Sequence, residues 1–140
     1  MRLLLGHDQD VWQWANRFFE CPLTPPTWAI GVIDNSGLLR GAALGEERNK
    51  TTSEITICSD GDAITPALAR EFLQAIFARY WRLEVRTTKD NKSVKRNAIK
   101  WGFAFEGSAT DYWGPGRAAL LYRMLKSDCR WIRTGNGKCT

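Results

Sequence analysis

The sequence predicts a single mixed α/β domain: a twisted central sheet of six to seven strands with helices on both faces. Two patterns and one magnitude lead there. Segments of strand and helix periodicity alternate in the order β-α-β-β-β-α-β-α-β-β. A three-strand meander, a β-α-β crossover and a closing hairpin can share one sheet only if its pairing is mixed. The chain has 140 residues, 44% of them hydrophobic and 25% charged. A domain of that size buries about 68–70% of its unfolded surface and builds a core without staples.

Each element has a local reason. Met1–Leu5 reads as a short strand. From Asp8 to Phe19, Val11, Trp12, Ala15, Phe18 and Phe19 fall on one helical face, and the prolines at 22, 25 and 26 end that helix. Trp28–Ile33 is an apolar strand, Asp34-Asn35-Ser36-Gly37 a turn, and Leu38–Leu44 the returning strand of a hairpin. Glu46–Lys50 reads as a charged turn. Thr51–Cys58 alternates Ile55 and Ile57 with Glu54 and Thr56 as a third strand. Thr65-Pro66 is a hydroxyl N-cap followed by proline at the first helical position, opening a helix whose apolar face runs to Tyr80. Leu83–Thr87 is a strand, and Asn91–Trp101 a helix with Val94, Ala98 and Trp101 on its apolar side. Gly102 stops it. Phe103–Ala109 and Ala118–Leu125 are the last strands. The expected domain spans residues 1–126, with 127–140 a basic C-terminal tail.

Charge is uneven. Residues 1–85 carry 8 basic and 11 acidic side chains, and residues 86–140 carry 12 and 4, which together give the formal +5. That surplus suggests an anionic partner for the C-terminal half. Nucleic acid is the weaker candidate: six basic residues lie between Arg86 and Lys100, but no interleaved aromatics and no reader motif accompany them. The four cysteines, Cys21, Cys58, Cys129 and Cys139, include no C-x-x-C pair, and the single histidine is His7. That spacing excludes the usual zinc sites, so no metal is expected. No signal-like or membrane-length apolar run appears, and the expectation is a reduced, cytoplasmic protein with no membrane contact.

The segment Asn91-Lys92-Ser93-Val94-Lys95-Arg96-Asn97-Ala98-Ile99-Lys100-Trp101-Gly102-Phe103-Ala104-Phe105-Glu106-Gly107 resembles the fourth-helix motif of the GNAT acyltransferases. Asn91, Arg96, Lys100, Gly102, Phe103, Glu106 and Gly107 fall in register with it. The Glu-Gly ending and the following Asp111-Tyr112 resemble most the branch that acetylates protein N-termini or similar amines. The element order matches that fold over residues 1–126.

The resemblance implies an N-acetyltransferase that moves an acetyl group from acetyl-CoA directly to a primary amine, whether a protein N-terminus, a lysine or a small amine. It implies that the cofactor lies in a split between the strands Thr51–Cys58 and Leu83–Thr87, with pantetheine on the backbone of Ile57, Cys58 and Ser59 in the manner of an added strand. Asn91 would reach the pantetheine arm and Arg96 a phosphate. Glu54 is placed as the general base and Tyr122 as a proton donor, against the plainer readings of an outward strand carboxylate, a core tyrosine and, for Asn91, a helix cap.

Two departures from the motif matter. The helix tyrosine of the family falls at Ala98. The phosphate loop, glycine-rich in the family, reads Asp60, Ala63 and Thr65 here, with Pro66 lacking an N–H. Asp60 and Asp62 facing a diphosphate at about 5 Å would cost on the order of 1–3 kcal/mol each. The alternative reading is therefore a GNAT-fold protein that has lost its cofactor site and works by binding a protein partner, as a bacteriophage virion or host-interaction component would.

Overall fold

The computed structural model describes residues 1–21, 23–61 and 64–132. The elements are β1 (Arg2–Leu4), α1 (Asp8–Ala15), β2 (Trp28–Ile33), β3 (Leu39–Asn49), β4 (Thr52–Ser59), α2 (Pro66–Phe77), β5 (Arg82–Thr88), α3 (Lys92–Trp101), β6 (Ala104–Ala109) and β7 (Ala119–Leu125). The strands form one seven-stranded sheet in the order β1-β2-β3-β4-β5-β7-β6. Only β4 and β5 run parallel, and every other neighbouring pair is antiparallel. This is the mixed sheet the sequence predicts, with helices on both faces.

The two faces have separate cores. On one, Phe72, Leu73, Ile76 and Phe77 of α2 meet Ile30, Ile55, Leu83 and Met124 of the sheet, joined by Ala98 and Phe103 from the α3 region. On the other, Val11 and Ala15 of α1 cover Ala29, Ala42, Leu44 and Cys58. Each large apolar side chain buried this way contributes about 1.5–3 kcal/mol. Helix α1 packs over β2 and β3 and reaches Cys58 near the end of β4; among the described residues no helix covers the rest of that face on β4, β5, β7 and β6. That asymmetry positions the site. No helix among the described residues is long and apolar enough to cross a membrane.

Three boundaries differ from the sequence reading. Helix α1 ends at Ala15, and Asn16–Phe18 make a 3-10 turn, because the Asn16 side chain accepts a hydrogen bond from Leu23 N at 2.9 Å and turns the chain. Glu46–Asn49 are not a turn but the end of β3. Their charges are compatible with a strand because Glu46 and Arg48 project onto the helix-free face, while Glu47 accepts a hydrogen bond from Tyr80 Oη at 2.9 Å. The reversal follows at Lys50–Thr51, where Asn49 Oδ1 accepts from Thr51 N at 2.9 Å. Finally, residues 127–132, read as part of a tail, pack on the domain. Cys129 and Ile132 are buried, and Trp131 Nε1 donates to Trp101 O at 2.6 Å. Residues 133–140, with the remaining tail and Cys139, lie outside the described residues.

One close approach locks β2, β3 and β4 in register. Trp28 pairs with Gly45 across the β2–β3 ladder and lays its indole over it, while Trp28 Nε1 donates to the buried Ser53 Oγ at 3.0 Å. A Cβ on Gly45 would stand 1.8 Å from the ring. Gly45→Ala is therefore expected to destabilise the fold by about 1–3 kcal/mol through overpacking. Urea denaturation measures the difference, and a midpoint equal to wild type would refute the packing account.

Candidate active site

The parallel ladder between β4 and β5 holds for three residue pairs only: Thr52–Arg82, Ser53–Leu83 and Glu54–Glu84. Beyond Glu54 and Glu84 the strands part. Each stays bound to its outer neighbour, β4 to β3 as far as Ser59 and β5 to β7 as far as Thr88. The inner edges of Ile55–Ser59 and Val85–Thr88 thus face a split, with backbone groups placed to pair with an inserted extended chain.

At the apex of the split three carboxylates stand side by side. Glu46 pairs with Glu54 across β3–β4, and Glu54 with Glu84 across β4–β5, all on the helix-free face. Like charges directly opposite on adjacent strands are destabilising, and arginines offset them. Arg48 bridges Glu46 at 3.3 Å and Glu54 in close contact. Arg86 Nη1 lies 3.3 Å from both Glu54 Oε1 and Glu84 Oε1. Arg82 joins Glu84 at 2.8 Å to Glu106, and Arg123 completes the chain at 3.3 Å from Glu106. Arg82 above all, by its hydrogen bonds, holds the Glu106 carboxyl below its ordinary value, and Arg123 adds to the effect.

Above Arg48, Glu54, Thr56 and Arg86 lies a cleft of about 430 Å³. One wall is the α1–β2 connection, with Phe19, Leu23 and Pro26. It is tied down by Trp12 Nε1 to Leu23 O at 3.1 Å and by Thr24 Oγ1 to Glu46 Oε1 at 3.3 Å. The other wall is Tyr112 and Trp113 of the β6–β7 loop. That loop is held by Asp111, which has φ 54° and accepts Gly116 N at 2.8 Å. The Tyr112 ring lies over the Arg86 guanidinium at 5.8 Å.

No protein-family model and no curated protein matches the sequence. Solved structures match the fold. Ard1 from Thermoplasma volcanium superposes with a TM-score of 0.67 at 15% identity, covering 88% of this chain and 95% of that one. Mutant forms of the spermidine/spermine N-acetyltransferase SpeG from Vibrio cholerae give 0.66 at 13%, covering 89% and 94%. A GCN5-related N-acetyltransferase from Brucella melitensis gives 0.60 at 23%, covering 81% and 63%. The chain has the GNAT acetyltransferase fold.

In the GNAT fold adopted here, the residues singled out from sequence take the following places. Glu54 sits at the apex of the split and on the floor of the cleft. Ile57, Cys58 and Ser59 lie on the open edge of β4. Asn91 caps α3, its Oδ1 accepting from Val94 N at 3.2 Å, and Arg96 is exposed one turn further along. Tyr122 is apart from these. It is buried at 6% exposure in the α2–α3 core, on the sheet face opposite Glu54, with its ring against Phe105. It pairs with Val85 across the β5–β7 ladder, so β5 stands between it and the split. Ala98 is likewise buried in that core.

The phosphate end differs from the sequence expectation. The Asp60 carboxylate turns to the α1 side, 3.6 Å from Arg17 and 3.9 Å from Arg40, rather than toward the start of α2. Asp62 and Ala63 lie outside the described residues. The α2 terminus itself offers little: Pro66 has no N–H, and Leu68 N already bonds Thr65 Oγ1 at 3.3 Å. Ala67 is the one donor left in the first turn before intrahelical bonding begins with Ala69 N to Thr65 O.

Sequence reasoning missed Arg48, Arg86 and the Trp113 wall. A signal existed: Arg82-Leu83-Glu84-Val85-Arg86 alternates charge sign at period 2 on a strand, the mark of a charged sheet face opposite an apolar one.

Two predictions test this geometry. Glu106 is held below its ordinary 4.5 in the folded state, so its contribution is complete above that pH and is lost as pH falls through the lowered value. Thermal stability should therefore drop on acidification below about pH 4.5, and Glu106→Gln should show a smaller drop over that range. Burial under α1 pushes the Cys58 thiol up to about 11, and Cys129 is also buried. In a Cys21→Ser, Cys139→Ser variant, thiol titration at pH 8 should find neither reactive until denaturant is added. Fast labelling of the native variant would contradict the burial of one or both, at α1 for Cys58 or in the α2 core for Cys129.

Proposed function

We propose that this chain is an acetyl-CoA-dependent N-acetyltransferase that acts on a primary amine by direct transfer. The observation that carries the reading is the split itself: β4–β5 pairing ends after three residue pairs, directly above a carboxylate on the floor of a walled cleft. The cofactor site fits in part. The open edge of β4 at Ile57, Cys58 and Ser59 is suited to pair with the amides of a pantetheine arm. Asn91, with its side-chain carbonyl engaged in the α3 cap, retains its NH2 group as a donor, and Arg96 stands on the same helix for a phosphate. The start of α2 is a thin cradle for a diphosphate.

Bound acetyl-CoA would supply an acyl thioester. The chain's own residues then have three tasks. The cleft walls hold the amine above β4. Glu54 receives the ammonium and then its proton on a carboxylate oxygen, while Arg86 keeps that carboxylate in place. Tyr122 fits core packing better than proton donation, because a strand separates it from the split. SpeG acts on spermidine and spermine by its name, and a primary amine acceptor for this chain is consistent with that. The thin phosphate cradle favours the second reading, a GNAT fold that binds a partner without turnover.

Calorimetric titration with acetyl-CoA separates the two. Binding is expected, and S-acetyl-pantetheine should bind within about 10-fold of it, since an anion at a helix terminus is worth only about 0.3–1 kcal/mol. Glu54→Gln should retain that binding and lose about 100-fold or more in kcat. Absence of any binding at millimolar acetyl-CoA would overturn the enzyme reading in favour of the second.

A further inference from the structure

The ionic content of the cleft selects among amines. Its floor and the ladder behind it hold four carboxylates, Glu46, Glu54, Glu84 and Glu106, and four guanidiniums, Arg48, Arg82, Arg86 and Arg123. The set is balanced, and every carboxylate in it already has a guanidinium. A polyamine entering here would add several positive charges to a neutral, partly buried ladder. Even a lone ammonium would have to compete with an arginine for Glu54 and leave that guanidinium with one carboxylate in place of two. Loss of a charged partner costs more the less exposed the site, and a ligand that brings its own carboxylate replaces the one lost. A molecule bearing both an ammonium and a carboxylate exchanges partners without changing the net charge.

The two arginines on Glu54 differ in freedom. Arg86 is held by charge: its Nη1 lies 3.3 Å from Glu54 and from Glu84 without a hydrogen bond to either, the Tyr112 ring lies over it, and its side chain is 23% exposed. Arg48 lies toward the open side of the cleft with a side chain 39% exposed, spanning Glu46 and Glu54. Arg48, the more exposed of the two, can turn from Glu54 to a ligand carboxylate while keeping Glu46, and Arg86 remains beside Glu54 as its ion pair. Around this pair the walls are apolar and aromatic: Phe19, Leu23, Pro26, Leu44, Tyr112 and Trp113.

From this we infer that the acceptor, on the acetyltransferase reading above, is a zwitterionic α-amino acid with a large apolar or aromatic side chain. Its ammonium takes Glu54, its carboxylate takes Arg48, and its side chain lies between the α1–β2 wall and Tyr112–Trp113. Arg48 is then a specificity-determining residue. The cleft of about 430 Å³ is of the size an amino acid of this class fills together with a few waters.

Binding can be measured without the cofactor, which keeps this inference separable from the proposed activity. The full chain is titrated calorimetrically with L-phenylalanine, L-phenylalanine amide, phenethylamine and spermidine. L-Phenylalanine is expected to bind at least about 10-fold more tightly than its amide or phenethylamine, and spermidine more weakly still. Arg48→Gln, checked for an unchanged melting curve, should bring the free acid to within about two-fold of the amide; Arg48→Lys should restore part of the difference. Equal binding of acid and amide, tighter binding of spermidine, or no binding of any of the four would overturn the inference. So would an Arg48→Gln preference equal to wild type. If acetyl-CoA fails to bind while L-phenylalanine shows the expected pattern, the acetyltransferase reading falls and the amino-acid site stands.

Discussion

Within the sheet only three residue pairs of parallel ladder join the two wings, and the brevity of that seam decides the rest. Strands β1 to β4 form one antiparallel wing and β5, β7 and β6 another. Each wing is continuous in its hydrogen bonding, so each follows its own right-handed twist. They agree in direction only from Thr52 to Glu54 and from Arg82 to Glu84. Past that point the strands diverge, and each keeps its outer partner while its inner-edge backbone groups face the split. The open edges that result are a consequence of two well-formed ladders, not of a weak one.

The seam also concentrates charge. Aligning β3, β4 and β5 places Glu46, Glu54 and Glu84 in one row on the face that α1 does not cover. Such a row is tolerable only with cations interleaved, and Arg48, Arg86 and Arg82 provide them. The same alternation gives the cleft a floor that is ionic in content yet neutral in sum. On the opposite face the same strands present Ala43, Ile55 and Leu83 to the core under α2. Period-2 alternation on β4 and β5 thus builds the core and the site at once, one on each side of a single sheet.

Much of this was legible in the chain. The element order, the Trp28–Ile33 strand, the Thr65-Pro66 helix start, the Asn91 cap and the Gly102 stop follow from local chemistry that acts within a few residues. Resemblance to a family motif singled out Glu54 and the Ile57–Ser59 edge, which lie at the apex and on the open side of the split. The end of β3 was not legible, because Glu46–Lys50 is locally as polar as a turn; it is a strand only because Glu54 and Ser53 lie opposite. Asp60 was expected to repel a phosphate, and Arg17 and Arg40, distant in sequence, turn it away. Tyr122 carried no local mark that β5 would stand between it and the split.

The sequence alone determined the order and kind of the strands and helices, several of their caps and stops, and which face of each is apolar, since those properties depend on side-chain period, caps and turn residues. Tertiary structure decided which charges meet. An ion pair such as Arg86–Glu54 joins residues on strands separated by a helix. Its existence depends on how far the parallel seam extends before the wings diverge, a balance of twist and pairing spread over all seven strands. The polarity of the cleft, and with it the kind of amine it admits, is settled at that level.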